Sequence, residues 1–158
     1  MKIVELTKRN LKDISNICVD SFLESEHSYY LQKHNLSGLD AFIDFCSVEN
    51  LAEKMQSKDY IFYGILDENT LVATSCINIV SGKILLLFIL TECKGEGYGT
   101  MLINYILEAA KSHNLKKVTV DSTHYAVSFY ETLGFSPISS EKVISGGMIF
   151  TPMQYIIK

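Results

Sequence analysis

A chain of 158 residues is long enough for one domain with a real apolar core. Apolar residues make up 47% and charged ones 20%, which excludes a disordered or low-complexity protein. Fourteen Lys and Arg against eighteen Asp and Glu leave a net charge of −4, and a general nucleic-acid binder needs the opposite balance.

The longest apolar run, Ile84 to Leu90, has seven residues, whereas a bilayer span needs roughly 20. Met1 to Lys8 holds no stretch of signal-peptide length. Cys18, Cys46, Cys76 and Cys93 form no Cys-x-x-Cys pair, so they read as reduced thiols of a cytoplasmic protein. His27 and His34 are seven apart and His113 and His124 eleven apart, spacings that suggest no metal site. Two prolines and nine glycines form no linker and nothing repeats, so residues 1–158 read as a single domain.

In chain order, Lys2 to Glu5 reads as a first strand. Asn10 can cap a helix whose Leu11, Ile14, Cys18 and Phe22 fall at helical spacing. Glu24 to Ser37 is polar and aromatic with no clear period, which predicts a loop or broken helix. Leu39 to Cys46 and Val48 to Gln56, the second capped by Ser47, predict two short helices. Tyr60 to Leu66 and Leu71 to Val80 flank Asp67-Glu68-Asn69-Thr70 and predict a hairpin. After the Ser81-Gly82 turn, Ile84 to Leu90 is apolar on both faces, as a central strand would be.

A glycine-rich turn, Lys94-Gly95-Glu96-Gly97-Tyr98-Gly99-Thr100, then opens the clearest helix, with Tyr98, Met101, Leu102, Tyr105, Ile106 and Ala109 on one stripe. Val118 to Asp121 is a strand, Ala126 to Leu133 a short helix stopped by Gly134, and Phe135 onward with Met148 to Ile157 a closing hairpin around Gly146-Gly147. The order predicts a mixed α/β (α+β) domain.

Strand, glycine turn and helix together suit a phosphate: the turn can aim consecutive N–H groups at one oxyanion, and the helix N-terminus adds partial positive charge. A Walker A loop needs a lysine after its last glycine, and none follows here. A dinucleotide fingerprint needs a third small residue where Thr100 stands, although Asp121 falls about 20 residues on as that pattern expects. The third reading is the turn of acetyl-coenzyme A enzymes.

Lys94-x-x-Gly97-x-Gly99 resembles the Arg/Gln-x-x-Gly-x-Gly/Ala loop of the GCN5-related N-acetyltransferase (GNAT) superfamily, with lysine at the first position. Ala126-Val127-Ser128-Phe129-Tyr130-Glu131-Thr132-Leu133-Gly134-Phe135 resembles that family's A-x-x-F-Y-x-x-x-G-F signature. Ser122 to Tyr125 and Thr151-Pro152-Met153-x-Tyr155 look like a bacterial branch of unassigned substrate. The likeness is carried by Ile84 to Phe135, about a third of the chain.

It implies a mostly antiparallel sheet of about seven strands flanked by helices, with a splayed central pair, Phe88 to Leu90 facing Val118 to Asp121. It implies acetyl-CoA as co-substrate, its pyrophosphate on the amides of Gly95, Glu96, Gly97, Tyr98, Gly99 and Thr100 with Lys94 adding charge. The pantetheine arm would lie along Phe88, Ile89 and Leu90, the Ile89 N–H serving the thioester oxygen.

Tyr130 is the implied acid for the leaving thiolate: a tyrosine near 10 is still protonated where a thiol near 8.5 has begun to ionise. Thr123, which can cap the following helix, stands where the family often has an asparagine that meets the coenzyme. No base is singled out among Asp121, His124, Glu24, Glu26 and His27.

The expected activity is N-acetyl transfer to a small-molecule or peptide amine through a ternary complex. The alternative is a catalytically silent CoA-binding module. The segment Glu24 to His34 and the helices after it would select the acceptor, its acidic side chains suiting a cation, and the closing hairpin could serve as a homodimer edge.

Overall fold

The computed structural model describes residues 1–158, the side chain of Ser145 excepted. Strand β1 (Lys2–Glu5) leads through a 3-10 turn into helix α1 (Leu11–Gln32). Asn10 does not cap α1 with its side chain: its Oδ1 accepts from the Thr7 N–H at 3.0 Å instead.

The largest departure from the sequence reading is here, because α1 runs unbroken through the segment expected to be loop. Its buried stripe continues as Ile14, Ile17, Cys18, Ser21, Phe22, Glu26 and Tyr30. The helical period persists beyond Phe22, but in polar and amphipathic side chains that an apolar count passes over.

The helix ends in a tight turn with His34 at φ 53°. Asn35 then starts α2 (Leu36–Phe45), its Oδ1 accepting from the Gly38 N–H at 3.0 Å, three residues earlier than expected. Helix α3 (Val48–Met55) follows, capped by Ser47 as read from the sequence.

Strands β2 (Tyr60–Asp67), β3 (Thr70–Asn78) and β4 (Lys83–Ile89) form the antiparallel meander, with β2 also pairing β1. Glu68 and Asn69, at φ 50° and 67°, form the tight hairpin turn. Helix α4 (Tyr98–Ser112), strand β5 (Lys117–Ser122) and helix α5 (Val127–Thr132) follow, then the two-residue strands β6 (Ser136–Pro137) and β7 (Lys142–Val143), and β8 (Ile149–Ile156). The sheet has eight strands, in the order β1-β2-β3-β4-β5-β8-β6 with β7 also on β8. All pairs are antiparallel except β4 with β5.

Helices α1 to α3 cover one face through Ile14, Phe22, Phe42 and Leu51, packed with Leu86 and Phe150. Helix α4 covers the other through Leu102, Ile103 and Ile106. Between Cys76/Leu86 and Ile77/Ile84 the register of β3 with β4 shifts by one, leaving Leu85 as an extra residue. Such a bulge bends its strand. The parallel pairing of β4 with β5 is confined to Lys83–Thr119 and Ile84–Val120, after which the strands part. Strand β4 is therefore central but only half buried at its far end, from Leu87 to Leu90. Among the described residues no helix is long and apolar enough to cross a membrane.

Candidate active site

Two cavities open where β4 and β5 part. The first, of about 320 Å³, lies beside the glycine turn and takes in Phe88, Ile89, Lys94, Gly95, Gly97, Tyr98, Gly99, Thr100 and Thr123. The second, of about 330 Å³, lies on the α1–α3 face between α2, β4, β5 and the β7–β8 hairpin. Leu87, Phe88, Thr123, Ala126 and Tyr130 line both.

The glycine turn is built to present amides. Gly95 and Gly97 sit at φ 85° and 88°, and a Cβ on either would meet nothing within 4 Å. The side of the turn that a side chain would fill is thus open to a ligand. The first amide of α4 to find a partner is Met101, which donates to the Gly97 oxygen at 3.1 Å. Among the described residues, the N–H groups of residues 95–100 have no protein acceptor.

At the helix start the Tyr98 hydroxyl donates to Asp67 at 3.3 Å, tying the turn to the β2–β3 hairpin. A Cβ on Gly99 would stand 3.0 Å from the Phe129 ring. The missing side chain there brings α4 against α5.

The free edge of β4 supplies a second set of polar groups. The Leu90 N–H donates to the Val72 oxygen at 2.8 Å, toward β3. Backbone groups alternate direction along a strand, so the N–H and C=O of Leu87 and Ile89 face the gap left by β5. Tyr130, only 4% exposed, lines both cavities, and burial pushes its hydroxyl pKa well up. The hydroxyl therefore carries its proton throughout the neutral range.

A model of the acetyltransferase (GNAT) domain family matches residues 30–157. The chain belongs to the GNAT family. No curated protein matches the chain. Among solved structures, a GCN5-related N-acetyltransferase from Rhodopseudomonas palustris superposes with a TM-score of 0.84 at 16% identity, covering 98% of this chain and 94% of that one. The PaiA N-acetyltransferase of Thermoplasma acidophilum, crystallised with coenzyme A, gives 0.78 at 19% identity over 98% of both chains. A spermidine N-acetyltransferase chimera of Vibrio cholerae SpeG and hSSAT gives 0.66 at 19% identity over 99% and 96%. At these identities the likeness is one of fold, and acetyl-CoA is the co-substrate that goes with the family.

Most residues singled out from the sequence of this GNAT domain come together around the first cavity, and two do not. Neither Leu90, whose N–H donates to β3, nor the exposed Glu96 lines it. Across the first cavity from Phe88 and Ile89 stand Thr123 and Ala126, beyond the end of β5, while Val120 and Asp121 share the wall of the second cavity with Phe88.

Lys94 lines the cavity, held by Glu24 at 3.0 Å and lying 5.3 Å from the centre of the Tyr125 ring. Thr123 does not cap α5, whose N-cap is Ala126; its Oγ1 accepts from the Ala126 N–H at 3.3 Å and braces the turn before the helix. The sequence reading passed over Ser21 and Ser25, which line the cavity from α1. Their signal was a pair of small polar residues four apart on the helix stripe.

The possible bases fall in unequal places. Asp121 is bound to Lys83 at 2.8 Å on the wall of the second cavity. His124 stacks on Tyr29 at 3.8 Å, its Nδ1 3.8 Å from Glu141, while His27 is exposed. Glu26 is 1% exposed and accepts from the N–H groups of His124 at 2.9 Å and Tyr125 at 3.3 Å. Burial pushes its carboxyl from 4.5 up to about 7, against those two hydrogen bonds. Glu26 thus clamps the turn that carries Thr123 into α5.

Proposed function

We propose that this GNAT domain moves the acetyl group of acetyl-CoA to a primary amine, with both substrates bound at once. The observation that carries the reading is the row of unpartnered amides from Gly95 to Thr100, continuous with the free edge of β4. Six consecutive N–H groups without a protein acceptor, at the start of a 15-residue helix, suit a diphosphate. Lys94 adds a positive charge beside it as a point charge rather than a fork.

The amides of pantetheine suit Leu87 and Ile89 as an added strand would. The Ile89 N–H then stabilises charge growing on the thioester oxygen. The amine arrives from the second cavity, its ammonium having released one proton to solvent, and the free nitrogen forms the C–N bond as the C–S bond breaks. Tyr130 gives its hydroxyl proton to the departing sulfur and recovers one from the nitrogen, so the protons balance.

The test has two parts. Acetyl-CoA at 100 times its Kd should raise stability by about 3 kcal/mol, seen as a higher Tm, while NAD and ATP leave it unmoved. Thiol release in the presence of an amine panel separates an enzyme from a silent CoA binder. Absence of any shift with millimolar acetyl-CoA overturns the reading.

A further inference from the structure

We propose that the second cavity selects as acceptor a monoamine with an aryl or other apolar body, and selects against polycations. The inference rests on the acetyl-transfer reading for the reaction, but its substance is the chemistry of the cavity wall. Phe42, Phe45, Phe88, Phe150, Met148 and Ile144 form one large apolar side of that wall. Phe42 is its centre, with ring centroids 5.5 Å from Phe88, 6.1 Å from Phe45 and 6.4 Å from Phe150. Phe42 is itself backed by Phe22, stacked at 3.8 Å. Such a surface takes an apolar body and has edges and faces for an aromatic ring.

The charges point the same way. Among the described residues, the side chains of the wall that carry full charge are Lys83 and Asp121, and these neutralise each other at 2.8 Å. The acidic side chains of α1, expected from the sequence to receive a cation, are used elsewhere. Glu24 holds Lys94, and Glu26 is buried on the 124–125 amides. A polyamine or aminoglycoside would have to place each further ammonium against this wall without a carboxylate to meet it, which is costly once water is excluded. A monoamine needs to present only one nitrogen, at the edge where Leu87 offers a carbonyl and both cavities meet at Tyr130.

The experiment compares kcat/KM for phenethylamine, hexylamine, ethylamine, spermidine and kanamycin with acetyl-CoA held saturating. Phenethylamine should exceed ethylamine, which lacks the body, and spermidine by about tenfold or more. A preference for spermidine or kanamycin overturns the inference and leaves acetyl transfer standing. If no amine is turned over, the acetyl-transfer reading falls instead, and calorimetry of the CoA-saturated protein decides the cavity. Binding of phenethylamine ahead of spermidine supports the inference; binding of neither, or of spermidine first, overturns it.

Ile144, 37% exposed and on the wall, offers a variant that need not disturb the core. Ile144→Asp should narrow the phenethylamine-to-spermidine ratio by about fivefold, and an unchanged ratio places the acceptor elsewhere.

Discussion

Glu26 sits almost fully buried between α1 and the turn before α5, its carboxyl pushed from 4.5 up to about 7 by burial. Between those two values the folded protein keeps a proton that the unfolded chain has released. Stability is therefore full below pH 4.5 and declines as pH rises through 7. At 1.36 kcal/mol for each pH unit of displacement, the loss is about 3 kcal/mol in all, of which about 2.5 kcal/mol falls between pH 5 and pH 8.

Glu26→Gln removes the titration without changing the size of the side chain. Its one oxygen can accept from the His124 N–H, but its amide nitrogen cannot accept from Tyr125, a cost of about 1–2 kcal/mol at every pH. The variant should be less stable than the parent at pH 5 by about 1 kcal/mol and more stable at pH 8 by a similar amount. Urea unfolding of both proteins at the two pH values measures this crossover. Glu141 and Lys94, which act on Glu26 through space, are present in both proteins, so replacing Glu26 isolates its own carboxyl. A stability difference that stays the same at pH 5 and pH 8 would refute the reasoning.

Three further outcomes are expected. Tyr130→Phe keeps the packing against Phe129 and Phe135 and should lower kcat about 100-fold with CoA affinity unchanged, since only the proton donor is lost; unaltered kcat excludes Tyr130 as the acid. Gly97→Ala puts a Cβ on a residue at φ 88° in open space, costing about 1–2 kcal/mol of stability and weakening CoA binding, both readable by thermal shift with and without CoA. Gly38→Ala drives a Cβ against the Gly147 oxygen and to 2.6 Å from Tyr30; destabilisation of about 1–3 kcal/mol, measured in urea, should come with weaker amine binding, because that contact docks α2 onto the hairpin lining the second cavity.

What the sequence by itself determined was local. The glycine turn, helix α4 and the Ala126 to Phe135 segment are each read within a dozen or so neighbouring residues, because helical period, positive φ and a helix start depend on near neighbours, although the α4 stripe itself shifts to bury Ile103 and Ala110 and expose Tyr105. That was enough for the fold class, the family and most of the residues that gather around the first cavity. The continuity of α1 was hidden because its stripe passes into Glu26 and Tyr30, residues that become interior only when strand β8 and the 124–125 turn satisfy them.

Tertiary structure decided the rest. The Leu85 bulge and the early end of the β4–β5 pairing open the site, and register is a property of two strands rather than one. The second cavity gathers Phe42, Phe88, Phe150 and Asp121 from four separate elements, so its apolar, charge-neutral wall exists only once long-range packing has closed. Glu24 and Glu26 look alike as acidic neighbours in the chain; packing sends one to the surface against Lys94 and buries the other under two backbone amides.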